Sequence, residues 1–339
     1  MDKVTVFFNS NLHHFSQLLT GLDYLKKQNK ITLKYELEPG RYHRNIFRTD
    51  INGRSVFFDM ADSSVIDFSI YDEGDFYIKR MLTKQDSEAY RKMLPYGLNY
   101  QVYHNSSYLQ FLFLHDRKLF NYSMRYSKSM SRFLNIKDSV NNNSLKNMES
   151  LPSKSKQILF RSRLWDPGNT KIESKKKERI QLNKERTEIN RSLKHKFPEN
   201  FKGGIQKDSF SIAFCPDLLL PSKEYHKRSY IKILKECSIG IVNQGLEKSI
   251  SWKMGEYVAH GMGVITSPID HFALLGNFKE DENYLKYETL EECVEKTEYL
   301  FHNDKQRNEM QIKNQKYYAE YLHPAEKLKR IFNNLRERN

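Results

Sequence analysis

Hydrophobic positions along the chain switch between two periods from the first residues onward. Val4, Val6, Phe7 and Phe8 make a short β-rich run, ended by the turn formers Asn9-Ser10-Asn11. Phe15, Leu18, Leu19, Leu22 and Leu25 then fall at i, i+3, i+4, i+7 and i+10, one apolar face of a helix. Ile31, Leu33, Tyr35 and Leu37 alternate with polar residues as a half-buried strand does. This β-α-β order predicts a parallel sheet with helices on its faces. Val56-Phe57-Phe58 and Asp75-Phe76-Tyr77-Ile78 continue the series of short strands, and residues 106–136 are richer in helix formers and aromatics.

The pattern then breaks. Residues 138–156, DSVNNNSLKNMESLPSKSK, are polar and Ser/Asn-rich, the composition of a linker. Beyond it the same grammar restarts with Gln157-Ile158-Leu159-Phe160. A long helix is predicted over 173–196 from Leu182, Ile189, Leu193 and Phe197, and Pro198 ends it. Strands are expected at 201–205 and 211–214, a helix at 228–236, and a buried strand at Ile239-Gly240-Ile241-Val242. Residues 251–260 read as helix and Val264-Ile265-Thr266 as strand. Thr289-Leu290-Glu291-Glu292 is a capping box opening a helix. Pro324 opens a last amphipathic helix with Leu328, Ile331 and Leu335. No fixed-period repeat is present. The expected fold is α/β, with two Rossmann-like domains, 1–150 and 151–322. Open parallel sheets bind ligands at the carboxyl ends of their strands, so two of them facing across a cleft suit a two-substrate enzyme.

Composition narrows the class. The chain has 339 residues, enough for about two domains at ~100–200 residues each. An aromatic content of 13% excludes a disordered chain, and nine Pro with 14 Gly exclude collagen-like and low-complexity classes. Three cysteines, Cys215, Cys237 and Cys293, are too few and scattered for a disulfide framework or zinc finger and fit a reducing compartment. The opening MDKVTVFFNS lacks a signal-peptide pattern, and no run approaches the ~20 apolar residues of a membrane span. A soluble, cytoplasmic protein is expected. The net charge of +14 favours phosphate, nucleic acid or an acidic membrane surface as partner, without choosing among them, and a solvated lysine-rich surface accounts for it equally well.

The chemistry concentrates in CSIGIVNQGLEKSISWKMGEYVAHGMGVITSPI, residues 237–269: strand, polar loop, helix, glycine turn, strand. Asn243-Gln244-Gly245-Leu246 follow a strand's carboxyl end, and Gly245 permits close backbone approach to a ligand. The next helix starts near residues 249–251, where free N–H groups hold phosphate readily. Lys253 and Glu256, at i and i+3, share one of its faces.

Within this stretch, WKMGEYVAHGMGVITSP resembles the sugar-nucleotide motif of GT-B-fold glycosyltransferases of the "group 1" type. The resemblance implies that Glu256 binds the donor ribose and that Lys253 lies near the diphosphate. It further implies that Asn243, Gln244, Gly245, Leu246, Glu247, Ser249 and Tyr257 line the donor site. ILFRSRLW, residues 158–165, is similar to the family's basic loop after the first strand of the C-terminal domain. This nominates Arg163 for the leaving diphosphate, with Arg161 as second choice. The C-terminal segment resembles the family's last helices, so 323–339 is expected to cross back to the first domain. The likeness spans 157–335 and reaches the N-terminal half only by architecture. Two departures stand out. Many retaining members carry two glutamates separated by seven residues, whereas eight separate Glu247 from Glu256, and position 248 is Lys. Asn169 stands near the place of a family lysine, with Lys171 two residues on. Retaining and inverting outcomes both stay open.

A departing nucleoside diphosphate gathers negative charge, and fixed cations stabilise it. Arg163 and Lys253 are the expected groups, acting without metal or cofactor: no Asp-x-Asp stands at a strand end, and the histidines lack metal-ligand spacing. For the acceptor, His13, His14 and Asp62 follow N-terminal strands and are candidate proton acceptors. Loop histidines and aspartates serve equally as turn formers and caps. Lys175-Lys176-Lys177 reads as a solvated helix face, and Tyr96, Tyr100 and Tyr103 as core or as a sugar-lining row. The expected activity is transfer of a sugar, a hexosyl unit by resemblance, from a nucleotide sugar to a saccharide, lipid-linked or protein acceptor. Cell-surface polysaccharide synthesis, peripheral to the inner face of an anionic membrane, is the implied setting. The rivals are a basic nucleic-acid-binding protein, for which no RRM, KH, zinc-finger or helix-turn-helix signature exists, and a noncatalytic GT-B-like partner subunit.

Overall fold

The computed structural model describes every residue except 10–13, 39, 44, 104–107, 125–142, 225 and 339. The chain divides into two compact units. One comprises Met1–Met148, His271–Asn277 and Tyr318–Asn339, and the other Glu149–Asp270 and Phe278–Tyr317.

The first unit begins β1 (Asp2–Phe8), α1 (Ser16–Lys27), β2 (Ile31–Leu37), as the apolar pattern predicts. It continues with β3 (Ile46–Ile51), β4 (Arg54–Asp59), α2 (Phe68–Glu73), β5 (Phe76–Lys79), α3 (Lys84–Ala89), β6 (Met93–Pro95), α4 (Tyr108–His115) and α5 (Arg117–Met124). Its described residues form a six-stranded sheet in the order β2-β1-β3-β4-β5-β6. β1 runs parallel to β2, with Val4 opposite Leu33, and β4, β5 and β6 are parallel to one another. β3 departs from the parallel expectation and pairs antiparallel with both neighbours. The reversal lies at Asn52-Gly53, whose φ values of 54° and 83° build the tight turn that matches strand twist. Leu18, Leu19, Leu22 and Leu25 of α1 are buried in one core with Val4, Val6 and Phe8, and Phe15 stacks on Phe47 at 4.6 Å.

The second unit contains β7 (Ile158–Leu159), β8 (Arg161–Ser162), α6 (Glu173–Lys196), β9 (Gly204–Ile205), α7 (Ser209–Phe214) and α8 (Lys227–Glu236). Then come β10 (Ile239–Val242), α9 (Trp252–Ala259), β11 (Gly263–Thr266), β12 (Tyr284–Lys286), α10 (Leu290–His302) and α11 (Asp304–Tyr317). Its main sheet, β12-β11-β10-β7, is parallel throughout, and β8 pairs parallel with β9. Every residue of β10 and β11 is buried, as in sheets covered on both faces. The strand expected at 211–214 is instead part of α7. Asp208 accepts the Ser211 N–H at 2.7 Å while the Ser211 hydroxyl accepts the Asp208 N–H at 2.8 Å, and this reciprocal cap starts a helix. At α10, Thr289 accepts the Glu292 N–H at 3.2 Å, but the Glu292 carboxylate takes the Glu288 N–H at 2.8 Å, one residue upstream of the usual box.

The terminal helix α12 (Pro324–Glu337) lies in the first unit, with Leu328, Ile331 and Leu335 in the same core as α1. The two helices come so close that a Cβ at Gly21 would meet the Pro324 carbonyl oxygen at 2.5 Å. No helix among the described residues is long and apolar enough to cross a membrane.

Candidate functional site

The carboxyl ends of β8 and β10 lie beside one face of α6. Leu182, Arg186, Ile189 and Leu193 recur at i, i+4, i+7 and i+11, so an arginine occupies the stripe that packs on the sheet. Arg186 is only 6% exposed, and three of its N–H groups are satisfied inside the unit. Its Nη1 donates to the Arg163 carbonyl at 2.7 Å, its Nη2 to the Gln244 carbonyl at 3.0 Å, and its Nε to Oδ1 of Asn243 at 3.4 Å. Burial pushes its pKa down to about 10, against the opposing charge of Glu185. Glu185 itself accepts the Tyr287 hydroxyl at 2.9 Å, and burial raises its carboxyl above the usual range. One turn back, Asn183 clamps Trp165, accepting its N–H at 2.9 Å and donating to its carbonyl at 2.8 Å.

Around this anchor stand the two expected phosphate-binding cations. Arg163 is exposed, its guanidinium 3.9 Å from the Trp165 ring centre. Lys253 sits in the first turn of α9 behind the cap Ser251, whose hydroxyl accepts the Lys253 N–H at 3.5 Å. Its half-buried ammonium lies 5.8 Å from the Phe160 ring centre and makes no ion pair among the described residues. Burial first, then the charge of Arg186, push its pKa down to about 7; Glu256 pulls the other way and Arg163 adds to the fall. A cation so placed gains strongly from an arriving oxyanion.

Glu256, one turn along α9 and 7% exposed, is held by two residues of α8. Lys227 donates to Oε1 at 3.0 Å and the Tyr230 hydroxyl to Oε2 at 2.6 Å. Burial raises its pKa, but Lys227 and these bonds outweigh burial and leave it below the usual carboxylate range.

The other expected donor residues divide. Asn243 and Gln244 hold Arg186. The space that Gly245 leaves is filled from within the loop: a Cβ there would meet Oγ of Ser249 at 2.4 Å. Ser249 is accordingly buried, and Leu246 is half-buried. Glu247 and Lys248 both adopt left-handed backbone, φ 58° and 57°, at a cost of roughly 1–2 kcal/mol each. The Glu247 N–H donates to Glu178 at 2.5 Å, and its carboxylate pairs with Lys175 at 3.1 Å. Arg161 is not with Arg163: it is 6% exposed and bonded to the Glu224 carboxylate and, at 3.4 Å, to the Lys202 carbonyl. Residues two apart share a face along a strand, but β8 ends at Ser162, so Arg163 stands beyond the strand that holds Arg161. Tyr257 is fully buried against Gly240, so it supports the sheet and has no exposed face for a donor.

In the first unit, His13 lies outside the described residues. Nδ1 of His14 is 3.3 Å from the Met60 carbonyl oxygen. Asp62 is ion-paired with Arg80 after β5, while the neighbouring Asp59 is buried with Lys79 and Tyr77. Tyr96 and Tyr100 are fully buried and Tyr103 nearly so, which makes that row core. Sequence reasoning missed Arg186 and Glu185. The available signal was a charge inside the 182–189–193 stripe, where a buried guanidinium must find acceptors.

No protein-family model and no curated protein matches the sequence. Among solved structures it is similar to the C-terminal domain of a glycosyl transferase group 1 family protein (LpcC) from Francisella tularensis, at 13% identity over 50% of this chain and 86% of that one, TM-score 0.32. It is similar to TarM at 14% identity, with a TM-score of 0.38; the match covers 85% of this chain and 63% of TarM. A third is an α-glucosyltransferase in complex with UDP-glucose and DNA containing an abasic site, at 12% identity over 98% of both chains, TM-score 0.41. The α/β class stands on the two units themselves, one with a mixed sheet and one with a parallel main sheet; these three similar structures are GT-B glycosyltransferases at most 14% identical to this chain.

Proposed function

We propose that the chain is a metal-independent glycosyltransferase of the GT-B type. Its second unit binds a nucleoside-diphosphate sugar and its first unit binds the acceptor. The observation that carries this reading is the grouping, at the carboxyl ends of β8 and β10, of an exposed Arg163 and a half-buried Lys253 that makes no ion pair among the described residues. Glu256, ionised and one turn from Lys253, completes a set suited to a diphosphate followed by a ribose diol.

In the proposed reaction the anomeric C–O bond breaks and its electron pair leaves on the diphosphate, where Arg163 and Lys253 stabilise the growing charge. Each such group is worth ~2.7–4 kcal/mol of barrier. The acceptor hydroxyl forms the new bond, and its proton passes to a base. His14, whose Nδ1 is 3.3 Å from the Met60 carbonyl oxygen, is one candidate base. His13 and Asp62 are the other candidates. A hexosyl donor, a saccharide, lipid-linked or protein acceptor, and a cytoplasmic setting against an anionic membrane in cell-surface glycoconjugate synthesis complete the proposal. They rest on the family resemblance of residues 157–335 and on the surplus of +14 charges.

Thermal unfolding with UDP, GDP, ADP and dTDP in turn tests it, since a ligand of the native state raises the midpoint. One of the four is expected to stabilise the chain, and its nucleotide sugars to be turned over with a chelator present. If none of the four shifts the midpoint, the reading is wrong.

A further inference from the structure

Arg186 has no part in the chemistry just described, yet it touches both loops that carry it. A guanidinium buried to this depth usually meets a carboxylate. Here its hydrogen bonds go to neutral acceptors: the Arg163 carbonyl just after β8, and the Gln244 carbonyl and Asn243 side chain just after β10. The planar fork spreads these donors at fixed angles, which an ammonium cannot reproduce. Asn183, three residues earlier on the same helix, fixes the backbone of Trp165. The stretch bearing Arg163 is therefore anchored to α6 at two points, and the loop leading toward Lys253 is anchored through the same guanidinium.

We infer that Arg186 is a positioning residue for diphosphate binding, bridging the Arg163 loop to the Asn243-Gln244 loop so that Arg163 and Lys253 are held ready for one anion. The inference rests on the donor-site reading above. A second consequence follows from charge: Arg186 is one of the groups that depress Lys253, so a neutral residue in its place returns that lysine toward its ordinary value.

The test uses the full chain with Arg186→Met and Arg186→Lys. Amide hydrogen exchange without ligand reads the bridge directly: both 163–166 and 243–246 are expected to exchange faster in Arg186→Met. Calorimetry then uses whichever of UDP, GDP, ADP or dTDP stabilises the parent most, beside its nucleoside. The diphosphate is expected to lose on the order of tenfold to a hundredfold in affinity, as for lost hydrogen bonds to a charged group. The nucleoside should bind as before. The pH at which diphosphate affinity declines should move upward in Arg186→Met and stay near the parental value in Arg186→Lys, which keeps the charge but recovers only part of the affinity. Equal losses for nucleoside and diphosphate, or parental affinity with a parental pH profile, overturn the inference. If Arg186→Met does not fold, Arg186→Lys carries the exchange and affinity tests alone. If the parent binds none of the four diphosphates, the donor reading fails by itself. Exchange in the two segments still decides the bridge, and parental protection in either one overturns it.

Discussion

Tyr230 donates its hydroxyl to the Glu256 carboxylate at 2.6 Å, from the helix whose Lys227 binds the other carboxylate oxygen at 3.0 Å. These bonds keep Glu256 charged despite its burial. A carboxylate has about four lone-pair sites, so two remain for a ribose diol. Glu256→Gln is therefore expected to weaken a ribonucleoside diphosphate about tenfold, the loss of a hydrogen bond to a charged group, and to leave the 2′,3′-dideoxy analogue nearly unaffected. Equal losses for the two sugars, measured by calorimetry, would remove Glu256 from the ribose.

Lys253 makes the site sensitive to pH. Its pKa is about 7 in the folded chain against an ordinary 10.5. Between those values the unfolded chain holds the extra proton, so this lysine makes stability rise with pH across that window and its full cost is felt below pH 7. Anion binding works in the opposite direction, because a diphosphate favours the charged form. At about pH 8 binding is expected to take up most of one proton, seen as a dependence of the calorimetric heat on buffer ionisation enthalpy. Lys253→Met should abolish that uptake; if the uptake persists, the proton belongs elsewhere.

How much of this was legible in the sequence varies with the physics involved. β10, α9 and β11 were plain because a run such as Ile239-Gly240-Ile241-Val242 serves one purpose, burial on both faces. That Lys253 and Glu256 share a helix face followed from their spacing, while their roles came only from the family resemblance. Arg186 was hidden because periodicity counts apolar residues, and an arginine in the stripe reads as surface until its acceptors, all from other segments, are known. The antiparallel β3 was hidden for a different reason: Asn52-Gly53 announces a hairpin only when the weak apolar content of residues 46–51 is accepted as a strand. At 211–214 a local cap from Asp208 outweighed β-favouring side chains. At Gly245 the close approach was real, but the approaching atom came four residues along the same loop.

In the first unit, Asp59 and Lys79 form an ion pair of 2.6 Å with 4% and 0% of their side chains exposed, and Tyr77 adds a hydrogen bond at 2.7 Å. Asp59→Asn leaves the lysine buried without its counter-charge and is expected to cost about 3–5 kcal/mol. The double change Asp59→Asn with Lys79→Met should recover most of it, because the uncompensated charge is then gone. Urea unfolding of the three proteins checks this. An Asp59→Asn variant within about 1 kcal/mol of the parent, the range of exposed pairs, would mean that water reaches the pair.

Gly240 and Tyr257 test the floor of the proposed donor site. A Cβ at position 240 would lie 2.3 Å from Cδ2 of Tyr257, with further ring carbons at 2.9 Å. The tyrosine is fully buried and β10 is paired on both sides, so neither partner can withdraw freely. Gly240→Ala is expected to lose about 1–3 kcal/mol through overpacking, and adding Tyr257→Leu should restore part of that loss although each residue alone is a core position. Tyr257→Phe, which keeps the ring, should leave nucleoside diphosphate affinity as it was. A marked loss of affinity in Tyr257→Phe at unchanged stability would put the hydroxyl at the donor and take the ring out of the core.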